Sequence, residues 1–385
     1  MEGKRSLPFC RVSLVGREME YVNEAIRRGR LSSDGDFCRR CETLLSEMLG
    51  GAAVLMTGSC TAALELAASV LELGPGDEVI MPSFTFVSTA NAVCRLGAHP
   101  RFVDVRPDTM NIDETLIEAA INEKTKAIFP VHYAGVGCEP ETIISQSETH
   151  GLHVVEDSAQ GIGARFNGKP LGTFGAMAAF SFHDQKNVSC GEGGALVVND
   201  RRYLEKAHIV RDKGTNRKAF FDGATSFYSW VDIGSAYALS NLAAAFLLGQ
   251  LEKTVEITQE QIAIYDQYMN GLAPLAEEGM IELPTVPDRA EHNGHITFFF
   301  VRNRSLRDDL LGYLKAMGVP AVFHYVPLHS SPYGQRLGYT ARDLPVTEEL
   351  ASRLIRMPMF IGMRSDQIEF VVTAIYDFFG VKRPH

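Results

Sequence analysis

The sequence predicts an α/β protein: one large, mostly parallel sheet with helices on both faces, followed by a smaller α+β unit. Three observations lead there. Short apolar runs alternate with helix-spaced segments through the first half of the chain, the rhythm of a covered parallel sheet. That rhythm changes after Leu283-Pro284, where strands and helices no longer alternate regularly. The chain has 385 residues, 45% hydrophobic and 22% charged, which suits a globular protein of two domains with a core large enough to need no disulfide or metal staple.

The elements follow in order. A CxxC pair, Cys38 and Cys41, opens an amphipathic helix from residue 36. Strands are expected over 53–57, 77–81, 101–105, 126–131, 153–157, 176–183 and 195–198. Helices are expected over 61–71, 87–96, 114–121 and 141–150. A long helical stretch runs over 235–272. Beyond it come a strand over 296–301, a helix over 306–317, a strand over 321–325 and helices over 348–356 and 366–379. The expected division is residues 1–250 for the N-terminal segment and large domain, and 251–385 for the small domain. There is no internal repeat and no low-complexity tract.

Charge excludes some functions. Net charge is −10, from 37 basic and 47 acidic residues, and the basic pairs Arg27-Arg28 and Arg39-Arg40 lie in helical patterns, so no nucleic-acid track is expected. No run reaches the ~18 apolar residues of a membrane span. Seven irregularly spaced cysteines and no apolar leader point to a reducing cytoplasm. The CxxC lacks a second ligand pair for zinc and a preceding strand for redox chemistry, so it reads as helix packing, and no metal is expected.

In open α/β sheets, ligands bind beyond the carboxyl ends of the strands. After the first strand, Thr57-Gly58-Ser59-Cys60-Thr61-Ala62-Ala63 opens a helix with small residues. Free amides and the positive dipole end there suit a phosphate, although helix caps are also rich in Ser and Thr. It is neither a Walker loop nor a GxGxxG fingerprint, which argues against a dinucleotide dehydrogenase. Asp157 ends an apolar strand, where an acid needs a partner: a pyridinium nitrogen, or a helix start that it caps. Lys186 then follows a β run and precedes Gly191-Glu192-Gly193-Gly194. A desolvated lysine has a lowered pKa and attacks aldehydes.

The run Phe180-Ser181-Phe182-His183-Asp184-Gln185-Lys186-Asn187, with Glu156-Asp157-Ser158-Ala159-Gln160 before it, resembles the DegT/DnrJ/EryC1/StrS nucleotide-sugar aminotransferases. The resemblance extends over nearly the whole chain. It implies the aspartate aminotransferase fold (fold type I), pyridoxal 5′-phosphate as cofactor and a homodimer with the site at its interface. It further implies that Lys186 carries the cofactor as a Schiff base and that Asp157 holds the pyridine nitrogen. On the same ground Phe86 stacks on the ring, Gln160 lies near it, and Thr61, Ala62 and Ser181 cradle the phosphate. His324, Tyr325 and His329 border the sugar site, although for the two histidines a structural role is nearly as well supported.

Met81-Pro82-Ser83-Phe84-Thr85-Phe86, Phe102-Val103-Asp104-Val105-Arg106-Pro107 and Lys213-Gly214-Thr215-Asn216-Arg217 resemble the branch that aminates dTDP-4-keto-6-deoxy sugars with L-glutamate as donor. C-3 amination, another nucleotide, or a non-catalytic regulator are the alternatives. Dehydratase relatives replace the lysine with histidine, so Lys186 argues against them. One departure stands out. The family's Gly-x-Asn-Tyr-Arg-Met segment, which reaches the partner's cofactor phosphate, reads Gly234-Ser235-Ala236-Tyr237-Ala238-Leu239 here. Ser235 and Tyr237 are the candidates to replace that contact.

Overall fold

A computed structural model gives the fold, and the structure describes residues 7–383. The seven expected strands of the first half all form and share one sheet. They are β1 (Ala53–Thr57), β2 (Glu78–Pro82), β3 (His99–Val103), β4 (Thr125–Ile128), β5 (His153–Asp157), β6 (Met177–Ser181) and β7 (Gly194–Val198). The spatial order is β1-β7-β6-β5-β4-β2-β3. All pairings from β3 to β6 are parallel, and β7 alone runs against its neighbours. The carboxyl ends of six strands therefore share one edge, where β7 begins.

Both faces of the sheet are buried, because successive residues of a strand point to opposite sides. Leu55, Met177, Ala179, Leu196 and Val198 pack under helices Cys60–Val70 and Leu204–Arg211. Their neighbours Val54, Met56, Ala178, Phe180, Ala195 and Val197 pack under Glu18–Arg28, Asp36–Met48 and Asn241–Leu251. Two-sided burial is why these strands read as continuous apolar runs rather than alternating ones. Cys38 and Cys41 belong to the second layer, and their Sγ atoms meet the Leu239 and Ala244 carbonyls.

Helix Thr254–Glu277 leads from the large sheet to a small one of β8 (Ile281–Glu282), β9 (Phe298–Val301) and β10 (Leu354–Arg356). Helices Arg304–Ala316 and Ser365–Phe379 pack on it. The start of the chain crosses to this unit, where the Met359 amide donates to the Phe9 carbonyl at 3.1 Å.

Three expectations are corrected. The stretch 235–272 is not one helix. Residues 235–240 are extended and bridge Thr57 and Asp212, helix begins at Asn241 behind the Ser240 cap, and it breaks before Thr254. The expected helix over 348–356 ends at Arg353, where the chain turns into β10. The expected strand over 321–325 pairs only through a bridge from Val322 to Arg356. Pro320 and Pro327, which cannot donate to a ladder, bracket it.

Candidate active site

The site is built where β1, β5 and β6 end. Beyond β1, Ser59 caps helix Cys60–Val70, its Oγ accepting the Ala62 amide at 3.0 Å. That leaves the first-turn amides of Cys60 and Thr61 without intrahelical acceptors, at the positive end of the helix dipole. The Thr61 and Ser88 hydroxyls are 2.6 Å apart, tying this turn to the start of helix Val87–Cys94. Gly194 makes the approach of β7 possible. A Cβ there would lie 2.3 Å from the Ser59 carbonyl carbon. Ser181 sits at the end of β6, where its Oγ accepts the His183 amide at 3.4 Å. Small groups and the Cys60 and Thr61 amides thus stand at the helix start that the sequence assigns to a phosphate, while the Ala62 amide is taken by the Ser59 cap.

Asp157, at the end of β5, is buried. Thr89 Oγ1 donates to its Oδ2 at 2.7 Å, and the Ala159 amide to its Oδ1 at 3.1 Å. Thr85 Oγ1 in turn donates to Thr89 at 2.9 Å, since the Thr89 proton is committed to the carboxylate. Burial raises the Asp157 pKa, while the Thr89 and Ala159 bonds and the charge of Lys186 oppose it. A cationic ring nitrogen would complete the ion pair such an acid needs.

Lys186 lies in the turn after β6, its amide bonded to the His183 carbonyl at 2.9 Å. Desolvation lowers its pKa to about 8, against the pull of Cys60 and Asp157. Phe86 stands at the N-cap of helix Val87–Cys94 and is 58% exposed. Gln160 Oε1 accepts the Ala134 amide at 2.6 Å, and its Nε2 donates to Tyr325 Oη at 3.2 Å.

The C-terminal residues divide. The His324 and Tyr325 rings stack at 3.7 Å, and Tyr325 reaches to within 6.4 Å of Phe86. His329 is fully buried behind this wall. Its Nδ1 pairs with Ser83 Oγ at 2.7 Å, and Nε2 lies 3.3 Å from Glu348, so it clamps the segment to the end of β2. The substitute candidates in the 234–239 segment also divide. Tyr237 Oη donates to Glu65 of its own chain at 3.3 Å, whereas Ser235 is exposed.

Three groups at the site were not anticipated. Thr89 holds Asp157. His132, at the end of the β4 segment, pairs through Nε2 with Glu156 at 2.9 Å, both fully buried. Glu156 also accepts the amides of Gly172, Phe174 and Gly175. Burial opposes protonation of His132, but Cys138 and Glu156 outweigh it and raise its pKa to about 10. Arg356 lies beside His324. A polar residue closing an apolar strand is the signal that marks His132 and Glu156.

The chain matches the DegT/DnrJ/EryC1/StrS aminotransferase family over residues 13–376. It belongs to that family. It is 34% identical over 366 residues, 94% of each chain, to a Geobacillus stearothermophilus protein named pleiotropic regulatory protein. It is 31% identical over 380 residues, 96% of each chain, to the spore coat polysaccharide biosynthesis protein SpsC of Bacillus subtilis. The solved structure of Spr1654 from Streptococcus pneumoniae, described as a putative sugar aminotransferase in its PMP form, superposes with a TM-score of 0.89 at 25% identity, over 98% of this chain and 99% of that one. The fold is that of the pyridoxal-phosphate-dependent aminotransferases, and the chain is an aminotransferase of that class. The donor set fits the cofactor: an amine of lowered pKa, a buried carboxylate and an amide-lined helix start at one sheet edge.

Proposed function

We propose that this aminotransferase transfers an amino group from L-glutamate to C-4 of a dTDP-4-keto-6-deoxy sugar, giving dTDP-4-amino-4,6-dideoxygalactose and 2-oxoglutarate for cell-surface polysaccharide. The observation that carries the reading is the convergence of Lys186, Asp157 and the Cys60–Val70 helix start on one sheet edge. Lys186 Nζ would hold the cofactor covalently. The cradle at Thr61 and Ser181 would hold its phosphate, Asp157 its ring nitrogen, and Phe86 and Gln160 its ring. Pyridoxal phosphate supplies an electron sink for charge developing at the donor's α-carbon. Lys186, once released, takes the proton from that carbon and returns it on the far side of the transfer, a general base and then a general acid. Asp157, fixed by Thr89, is pre-oriented to keep the ring nitrogen protonated throughout.

Support for the sugar comes from the wall of Tyr325 and His324 and from the relatives in sugar and polysaccharide synthesis. The regulatory name of the Geobacillus relative speaks of that protein; the intact lysine and acid here favour catalysis. We further propose that the protein works in the cytoplasm, as a homodimer. No helix among the described residues is long and apolar enough to cross a membrane.

The test is a product assay with dTDP-4-keto-6-deoxyglucose and L-glutamate, read by NMR of the sugar. The expected product carries an axial amino group at C-4. An amino group at C-3 would overturn the substrate assignment. Lys186→Ala should abolish turnover and the absorbance of lysine-linked cofactor; transamination by that variant would overturn the mechanism.

A further inference from the structure

Lys186 sits in a turn that packing holds from one side only. Asp184 and Gln185, just before it, are exposed, whereas Asn187, Val188 and Ser189, just after it, are buried. The Asn187 side chain anchors the buried side. Its Nδ2 donates to the Asn293 carbonyl at 2.9 Å, and its Oδ1 meets His295 Nδ1 at 2.7 Å. An amide oxygen only accepts, so His295 Nδ1 carries the proton and donates. Burial, then the charges of Lys186 and Arg356, push the His295 pKa well below its usual 6.5, so the ring is neutral and Nδ1–H is its one side-chain donor. Both partners of Asn187 lie in the segment 292–297 that leads into β9 of the small sheet.

Asn293 passes the connection on. It is fully buried: its Nδ2 donates to the Gln160 and Ile162 carbonyls at 2.7 and 2.8 Å, and its Oδ1 accepts the His295 amide at 3.1 Å. Gln160 in turn accepts the Ala134 amide and donates to Tyr325. The turn at 134–135 is shaped around Asn293. Ala134 and Gly135 both take left-handed backbone, at φ +60° and +77°, and a Cβ on Gly135 would lie 1.8 Å from Asn293 Oδ1. Left-handed backbone at a residue other than glycine is unfavourable and persists only where its surroundings over-determine it. One connected set of buried hydrogen bonds thus runs from the lysine turn, through Asn187, His295 and Asn293, to Gln160.

We infer that Asn187, His295 and Asn293 are positioning residues for the amino transfer: they lock the lysine turn and Gln160 to the segment before β9 as one rigid assembly. This rests on the roles of Lys186 and Gln160 proposed above. Asn187 acts on Lys186 through the chain, and Asn293 acts on Gln160 through its carbonyl. A lysine that takes up and returns a proton works only within hydrogen-bond reach of the reacting atoms, and a displacement of about 1 Å can cost about 10²-fold in rate. Two hydrogen bonds from a rigid segment to the residue next to the lysine supply that precision. The large sheet therefore provides the reacting groups, and a segment of the small unit sets where they stand.

The test compares the wild type with Asn187→Ala, His295→Leu and His295→Asn, each as holoenzyme and as cofactor-free protein. Asparagine sets an amide where Nδ1 stands, so it keeps a donor for Asn187, whereas leucine does not. Asn187→Ala and His295→Leu should lower kcat roughly 10- to 100-fold with KM for both substrates nearly unchanged. They should slow capture of pyridoxal phosphate by cofactor-free protein to a similar degree, read as the absorbance of lysine-linked cofactor. His295→Asn should recover most of both losses. Wild-type kcat and capture in the first two variants, a loss that only tracks the folded fraction in thermal melts, or no recovery in His295→Asn would each overturn the inference and leave the transaminase reading intact. NMR of isotope-labelled histidine in the wild type needs no variant to fold. His295 should show a neutral ring protonated at Nδ1, with a signal that shifts when cofactor is captured at Lys186; protonation at Nε2, or an unmoved signal, would overturn the inference as well. A wild type that forms no lysine-linked cofactor would remove the Lys186 assignment, and this inference with it.

Discussion

Lys186 and Asp157 tune each other. Desolvation lowers the lysine to about 8, and the Asp157 charge pulls it back up. Cofactor-free protein should therefore react with pyridoxal phosphate at a rate that rises through about pH 8, far below the 10.5 of an ordinary lysine amine. Asp157→Asn removes the charge that favours the ammonium form, so the midpoint should move to lower pH. The same variant should lower turnover by roughly 10²–10³-fold, since an amide cannot keep the ring nitrogen cationic. Stopped-flow absorbance across pH 6–10 checks the first expectation and steady-state assay the second. A midpoint that stays put in Asp157→Asn would show that the two groups do not sense each other. Asp157 was legible in the sequence because it ends an apolar run where a charge has no structural reason to be, and Lys186 because it follows such a run just before glycines. Arg356 was not, because it closes a stretch whose spacing reads as helix, and its place beside His324 is a property of space.

At the scale of elements, the strands of the large sheet were read well and its attachments less well. Strands buried on both faces announce themselves as apolar runs, so β1 and β5 were read to the residue and the others to within a few positions. Residues 235–240 misled because Ala236, Ala238 and Leu239 have the composition of a helix, yet their backbone is used to pair with Thr57 and Asp212. Tertiary pairing overrode local propensity. The junction of β5 with the 172–175 turn is pinned by Glu156 and His132. His132 is raised from 6.5 to about 10, so its contribution is complete below 6.5 and lost as pH rises through about 10. Glu156 is held below its ordinary 4.5: burial works against this, but the His132 bond and the backbone amides prevail. Its contribution is complete above 4.5 and lost as pH falls further. The pair therefore stabilises most between those values. Glu156→Gln should cost about 3–5 kcal/mol at pH 6, as for any buried pair broken on one side. The cost should shrink toward pH 10, where the wild type loses its own imidazolium. Chemical denaturation at pH 6 and pH 10 measures both, and equal costs at the two pH values would show that His132 is neutral in the fold.

At the scale of the whole molecule, residues 221–233 leave large apolar groups uncovered. Between helix Arg217–Phe221 and the extended 235–240 segment, Phe221, Phe227, Trp230 and Ile233 are each at least 67% exposed. Large apolar groups exposed together along one segment mark an interface. A second copy of the chain is the occupant that the proposed homodimer requires, in the self-complementary contact of a two-fold axis. The patch is connected through the backbone to the proposed phosphate cradle. Trp230 bridges Thr215, the chain continues to Tyr237, and the Tyr237 carbonyl accepts the Gly58 amide at 2.7 Å, one residue before the Ser59 cap of helix Cys60–Val70. Losing the partner should therefore loosen the cradle as well as split the particle. Trp230→Asp puts a charge where a buried aromatic anchor is expected, and such anchors contribute 2 kcal/mol or more. Sedimentation should show a wild-type dimer of a 42.4 kDa chain and a variant shifted toward monomer by at least 30-fold in dissociation constant. Cofactor affinity should fall with it at dilute concentration and recover as protein is concentrated. A monomeric wild type would remove the dimer. A variant that is monomeric but binds cofactor as tightly as wild type would show that each chain completes its phosphate cradle alone, as the Ala236 and Ala238 substitutions of the usual cross-subunit contact would then explain.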